Sequence, residues 1–394
     1  MINNSARTPT IRLSLHDSIH MIHREDWRIV TVDASPYLQY DHLLALEDAM
    51  SATMEFRYVI YYCEENLPMG VAYFQVVDVE DQGSRFQEKV CRLGKGIGKR
   101  VIKDMKVRTL VSGNVFHGGD LGSYFTKDIP AVDRLRIVED TMCKLDKGGY
   151  CARTASILLF KEFGEDLSGA TDYLIQRKYH RLEMDADMVI DLDPGWKGLD
   201  DYQEALTSKA RTRIRSIRDR SAALKVRIMK PDEIRDASPR IQHLFEQVLD
   251  RSTFVHGRLN MTVFAPWVEL HKDHLQFRGY FLNDELVGFS TAFILGNELD
   301  VQFVGIDYAH NTEHAIYQRM LVDLLDAGIL GRLRRINFGR TAEQAKSNLG
   351  AQPMDLRFFV KHHSALANKL IGPFLRSVKP GAFEQRSPFK KVHA

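Results

Sequence analysis

Cysteine is scarce in this chain, with four in 394 residues: Cys63, Cys91, Cys143 and Cys151. None stands in a C-x-x-C pair, and no nearby histidine completes a zinc-ligand spacing, so no metal site is expected. The adjacent His362 and His363 suit a helix surface better than a metal centre. Low cysteine use fits a reducing cytosol. An excess of charge of one sign is missing too. Lys and Arg number 54 against 52 Asp and Glu, a net charge of +2, so no global field selects DNA or any other polyanion. Long apolar runs are also absent. The longest, Val287 to Leu295, is far too short to span a bilayer and carries Ser290 and Thr291. Met1–Thr10 has no apolar core of a secretory signal. These absences set the expectation of a soluble, cytoplasmic protein. What is present is ordinary globular material, 44% apolar and 27% charged, and the length exceeds the usual single domain, so two domains are expected.

Both halves carry the same order of elements. In the first, a helix over Leu43–Met50 precedes strands Arg57–Tyr62 and Gly70–Val77, joined by a turn at Asn66-Leu67-Pro68. Both faces of Gly70–Val77 are apolar, as in a strand buried on both sides. A basic helical insertion follows, then strand Thr109–Val115, a glycine-rich loop, helix Ala131–Lys147, strand Thr154–Phe160, helix Gly169–Lys178 and a strand near Met188–Leu192. The second half repeats the pattern: helix Ile241–Leu249, strand Phe277–Leu282, an Asn283-Asp284 hairpin turn, and strands Leu286–Leu295 and Leu299–Ile306. Helix Thr312–Ala327, strand Arg335–Phe338, helix Thr341–Leu349 and strand Asp355–Val360 complete it. The expected division is 1–192, a basic helical join at 193–232, and 233–394.

The segment from Ile336 to Ala351 is the most informative. A short strand ends on Gly339-Arg340, Thr341 stands where a helix N-cap belongs, Lys346 lies further along, and Gly350 stands at the C-cap. An arginine beside exposed helix amides suits an anion. This strand–Gly-Arg–helix–Lys–Gly element, with the doubled β-hairpin, β-α-β-α-β order, resembles the GNAT acyltransferases, in the branch related to the FemABX-like enzymes. The resemblance implies an α/β (α+β) fold of two GNAT-like units, each a mixed, mostly antiparallel sheet flanked by helices. It implies an N-acyltransferase that takes an acyl group from acyl-CoA or an acyl carrier protein to an amine, with no permanently bound cofactor. The alternatives of the same fold are an aminoacyl-tRNA-dependent peptidoglycan transferase and a non-catalytic tandem module that binds CoA or lipid. The chain has no long heptad arm of the kind FemABX-like enzymes often use for tRNA, which favours the thioester donor.

Such a reaction needs a proton acceptor for the amine, a donor for the leaving group, and amides for the tetrahedral oxygen. In the second unit Asp307 and His310 are the candidate acceptors, Tyr308 and Tyr317 the candidate donors. Asn311 and Gln302 face the expected cleft beside Asp300, and Arg340 and Lys346 are the expected anion ligands. The loop usual in acetyl-CoA-binding GNAT proteins, Arg/Gln-x-x-Gly-x-Gly/Ala, is missing, since His310–Ala315 holds no glycine. The first unit has glycines at the corresponding place, Gly113 to Gly122, where His117 and Asp120 stand beside a possible anion nest. Two basic stretches, 92–108 and 209–220, are suited to an anionic membrane or carrier protein, which extends the expected location to the inner membrane surface. The aromatic-rich Phe254–Trp267 is expected to line an acyl channel, with an amino-lipid as one acceptor.

Overall fold

The computed structural model describes residues 11–79, 107–119, 122–126, 129–147, 155–163, 168–251, 257–377 and 383–390. The chain divides into two compact units. The first combines Met1–Leu182 with Arg357–Val378, the second Glu183–Leu356 with Lys379–Ala394.

Unit 1 is built on strands β1 (Arg12–His16), β2 (Glu55–Tyr62), β3 (Pro68–Val79), β4 (Val107–Ser112), β5 (Ser123–Phe125), β6 (Ile157–Phe163), β7 (His180–Glu183) and one late strand, β15 (Arg357–His362). Their order is β1-β2-β3-β4-β6-β15-β7, with β5 paired to β3. β4 and β6 run parallel, while β1–β2, β2–β3, β3–β4, β3–β5 and β6–β15 are antiparallel. β2 and β3 are rich in aromatic and β-branched residues, which fit a pleated surface covered on both faces. Val71 to Val77 are all buried, as the two-faced apolar pattern predicts. One core cluster joins Val59, Phe74, Leu110, Val138, Met142, Phe160 and Phe359. Helix Ala131–Lys147 spans the residues expected of it.

Unit 2 is built on β8 (Asp187–Asp191), β9 (Lys225–Ile228), β10 (Leu275–Leu282), β11 (Glu285–Leu295), β12 (Glu298–Ile306), β13 (Arg335–Asn337) and β14 (Gln352–Met354). The order is β14-β8-β13-β12-β11-β10-β9, and β12–β13 is the parallel pair. Asn283 and Asp284 both have positive φ, 49° and 66°, the requirement of a tight turn that joins β10 to β11. The core beside helix Ile316–Leu330 gathers Ile190, Leu299, Leu321, Leu325 and Ile336.

The observed division departs from the expected one at both ends. β8, expected to close the first unit, pairs with β13 and β14 in the sheet of the second. β15, expected in the second, pairs with β6 in the sheet of the first. Residues 193–232 are part of the second unit and include its edge strand β9. His362 ends β15 and His363 follows it in a turn, so the pair is not on a helix. Most of the first basic stretch, 92–106, lies outside the described residues.

Candidate active site

A parallel strand pair stands in each unit, β4–β6 in the first and β12–β13 in the second, and each ladder is short. In unit 2 the ladder joins Glu298, Leu299 and Asp300 of β12 to Arg335, Ile336 and Asn337 of β13. β12 runs on to Ile306 while the segment after β13 turns away, so that no described strand pairs with this edge of Val301–Ile306. Gln302, Phe303 and Val304 along it are half-buried.

The turn after β13 is shaped by buried polar groups. Gly339, Thr341 and Ala342 all have positive φ, 67°, 65° and 51°. Thr341 is therefore not the helix cap. The helix begins two residues later, as Glu343–Ser347, with Ala342 at the N-cap and no side-chain cap bond. Lys346, 4% exposed, donates from Nζ to the carbonyls of Gly339 at 2.9 Å and Arg340 at 2.6 Å. Burial lowers its pKa to about 7, against the pull of Asp187 and Glu343. Its amine thus pins the turn, which corrects its expected role as an anion ligand. Arg340 Nε lies 3.5 Å from the buried Asp187, which also accepts from Asn337 at 3.1 Å. Burial lowers the Arg340 pKa to about 10. Gly350 has a φ of 97°, which suits the glycine after a helix end.

Asp307 caps helix Tyr308–His314. Its Oδ1 accepts from the Ala309 amide at 3.0 Å and its Oδ2 from Arg240 at 2.7 Å. Burial acts to raise its pKa, but the Arg240 bond and the Ala309 amide outweigh burial, and the carboxyl sits below its usual range. A base at this position needs a raised pKa, and the opposite is found. Asn311 accepts at Oδ1 from the Tyr317 amide at 2.9 Å. The expected helix Thr312–Ala327 becomes two, Tyr308–His314, capped by Asp307, and Ile316–Leu330, joined at Ala315 in the left-handed region.

Tyr308 and Tyr317 pack on one apolar cluster, and Glu343 is close enough to act on the Tyr317 phenol. Burial first, then Tyr308 and Glu343, raise the Tyr317 phenol well above its usual value. Arg251 lies over the Tyr308 ring at 3.9 Å. Burial raises the Tyr308 pKa and Arg251 opposes it. His310 is half-buried, with its ring 6.3 Å from that of His314. Gln302 donates to Asp300 at 3.2 Å.

In unit 1 the corresponding opening follows the pairing of Thr109–Ser112 with Ile157–Phe160, and the loop 113–119 is tied into it. Lys161 Nζ donates to the carbonyls of Asn114, at 2.8 Å, and His117, and pairs with Glu162 at 3.0 Å. The Glu162 carboxylate accepts from the Gly119 amide at 2.5 Å. His117 is buried, stacked on Tyr37 at 4.1 Å, with Nε2 2.9 Å from His42 Nε2. It belongs to an interior network rather than an open anion nest. Asp120 lies outside the described residues, as do 252–256, while Phe264 and Trp267 are core residues in edge-to-face contact. Those two do not line a channel.

Sequence reasoning missed Arg240, Arg251, Asp187 and Glu343. Nothing in their local spacing marks them, because each reaches its partner across the fold. On helix Ser208–Arg220, Arg211, Arg213 and Arg220 bond to Leu206, Asn348 and Thr312, while Lys209, Arg215 and Arg218 are exposed. Among the described residues no cluster of His, Cys, Asp and Glu is able to hold a metal, and no helix is long and apolar enough to cross a membrane.

No protein-family model matches the sequence, and no curated protein matches it. Solved structures match its fold. FemX aligns over 91% of this chain and 100% of its own at 10% identity and a TM-score of 0.51. A tandem GNAT protein from the clavulanic acid biosynthesis pathway aligns over 90% and 99% at 9% identity and 0.50. A conserved protein of unknown function from Bacteroides thetaiotaomicron aligns over 89% and 99% at 11% identity and 0.50. At these identities the likeness shows the fold: two GNAT-like units in one chain, each a mixed, mostly antiparallel sheet flanked by helices.

Proposed function

We propose that the protein is an N-acyltransferase, with transfer at the β12–β13 opening of unit 2. The observation that carries this reading is the unpaired edge of β12 beyond Asp300, with Tyr317 at the start of the helix that packs on this strand and its backbone amide bonded to Asn311. In this mechanism the amine nitrogen attacks the thioester carbonyl carbon, and the carbonyl oxygen takes the charge beside the backbone of Val301–Val304. The C–S bond then breaks, and the sulfur takes the Tyr317 proton. A phenol is protonated at neutral pH, the state a donor to the leaving sulfur needs. The ammonium proton leaves through water toward His310, since Asp307 is held ionised by Arg240 and its cap.

The donor class is a thioester, acyl-CoA or acyl carrier protein, and the acceptor a primary amine. Exposed Lys209, Arg215 and Arg218 are the cations offered to an anionic carrier or to the inner membrane surface. The test is thiol release from acetyl-, hexanoyl- and palmitoyl-CoA with a panel of amines, and aminoacyl-tRNA as the competing donor. Tyr317→Phe is expected to lower kcat by about 100-fold or more, with donor binding and the far-UV spectrum unchanged. Full turnover in Tyr317→Phe would move the chemistry away from this opening.

A further inference from the structure

Unit 1 contains a cavity of about 80 Å³ under β4, β5 and β6, walled by helices Ala131–Lys147 and Ser168–Gln176. Its sides are largely apolar, with Leu135, Val138, Phe160 and Phe163. Among the described residues, three polar side chains also line it: Ser112 at the end of β4, Ser123 at the start of β5, and Arg134. Gly122 is what lets the chain pass beside Ser112, since a Cβ there would lie 2.2 Å from the Ser112 hydroxyl.

Arg134 is the unusual member. Its Nε is buried and has no hydrogen-bond partner among the described residues. A buried donor left unmatched is costly, more so when charged, so a group that meets it is favoured there. Two carboxylates of the same helix are matched elsewhere. Asp133 pairs with Arg136 at 2.7 Å, and Glu139 with Arg177 at 3.0 Å and Lys361 at 3.6 Å. A cation beside two hydroxyls, in apolar walls, at the first turn of a long helix, is a combination that selects an anion with a small apolar part.

We infer that this cavity binds a small carboxylate, whose oxygens accept from the Arg134 guanidinium and the Ser112 and Ser123 hydroxyls. Size narrows the class. A cavity of about 150 Å³ accommodates benzene, so one of about 80 Å³ takes roughly three or four heavy atoms, the size of acetate. A nucleotide or a pantetheine arm is several times too large. The inference stands apart from the acyl-transfer reading, which concerns unit 2.

The test is isothermal titration of the full chain with sodium acetate, with acetamide as the neutral isostere and sodium chloride at matched ionic strength. Acetate is expected to bind saturably with one site, while acetamide and chloride do not. Arg134→Gln should weaken acetate at least tenfold at an unchanged unfolding midpoint. Arg134→Lys, which keeps the charge, covers the case in which the glutamine variant fails to fold, and should lose less than the glutamine. No saturable acetate binding, equal affinity for acetamide, or undiminished binding in a folded Arg134 variant would each overturn the inference.

Discussion

Burial of Lys346 places a proton equilibrium close to neutral pH, and its sign can be worked out. Its folded pKa of about 7 lies below the ordinary value of 10.5. Between these values the unfolded chain binds the extra proton, so this group makes stability rise with pH from about 7 to 10.5 and adds no slope beyond. The neutral amine keeps two N–H donors, enough for both carbonyls it pins. Urea midpoints measured across this window should rise in the wild type relative to Lys346→Met, so the gap between the two curves widens with pH. At the alkaline end of this window the methionine variant should be the less stable, by about 1–3 kcal/mol for each carbonyl left buried without a donor. Equal slopes would show that Lys346 titrates normally. Asp307 is the other residue whose surroundings decide its role. Asp307→Ala removes a cap and an ion pair, and should cost about 1–2 kcal/mol in denaturant unfolding while turnover persists. Loss of turnover without loss of stability would restore it as the base.

At the scale of elements, a break between two helices carries the proposed chemistry. Asn311 stops one helix from running into the next by capping Tyr317, and Ala315 takes a left-handed conformation that costs about 1–2 kcal/mol. Asn311→Ala should free the Tyr317 backbone and lower turnover in the same direction as Tyr317→Phe, with a stability loss near 1 kcal/mol. Kinetics unchanged from wild type would show that the phenol needs no such support. Local signals foretold many elements here: the Asn-Asp hairpin, the doubly apolar β3, and helix Ala131–Lys147. They misplaced the start of helix Glu343–Ser347. Thr341 has the chemistry of a cap, but the buried Lys346 amine draws the preceding carbonyls into a turn that a cap does not fit.

At the scale of the whole molecule, each sheet contains a strand that chain order would assign to the other. β15 fills the place between β6 and β7, and buries Phe358 and Phe359, 1% and 2% exposed. β8 fills the place between β13 and β14. A fragment of residues 1–192 therefore carries β8 without its sheet partners and lacks β15. It is expected to be insoluble or to lack a cooperative unfolding transition, and co-expression with 357–394 should restore a folded unit, read by soluble yield and circular dichroism. A fragment 1–192 that folds alone, with a sharp transition, would show that β15 is dispensable.

The sequence by itself determined the alternation of strands and helices, the doubling of one pattern, and a polar set around residues 302–346. Those follow from local rules: apolar periodicity, turn residues and caps act over a few positions. Tertiary structure decided which sheet receives β8 and β15, that Asp307 faces Arg240 across 67 positions, and that Lys346 turns inward. It also placed Arg134 in a cavity with Ser112 and Ser123. Strand pairing, desolvation and ion pairing depend on residues distant in the chain, and no local spacing encodes which of them will meet.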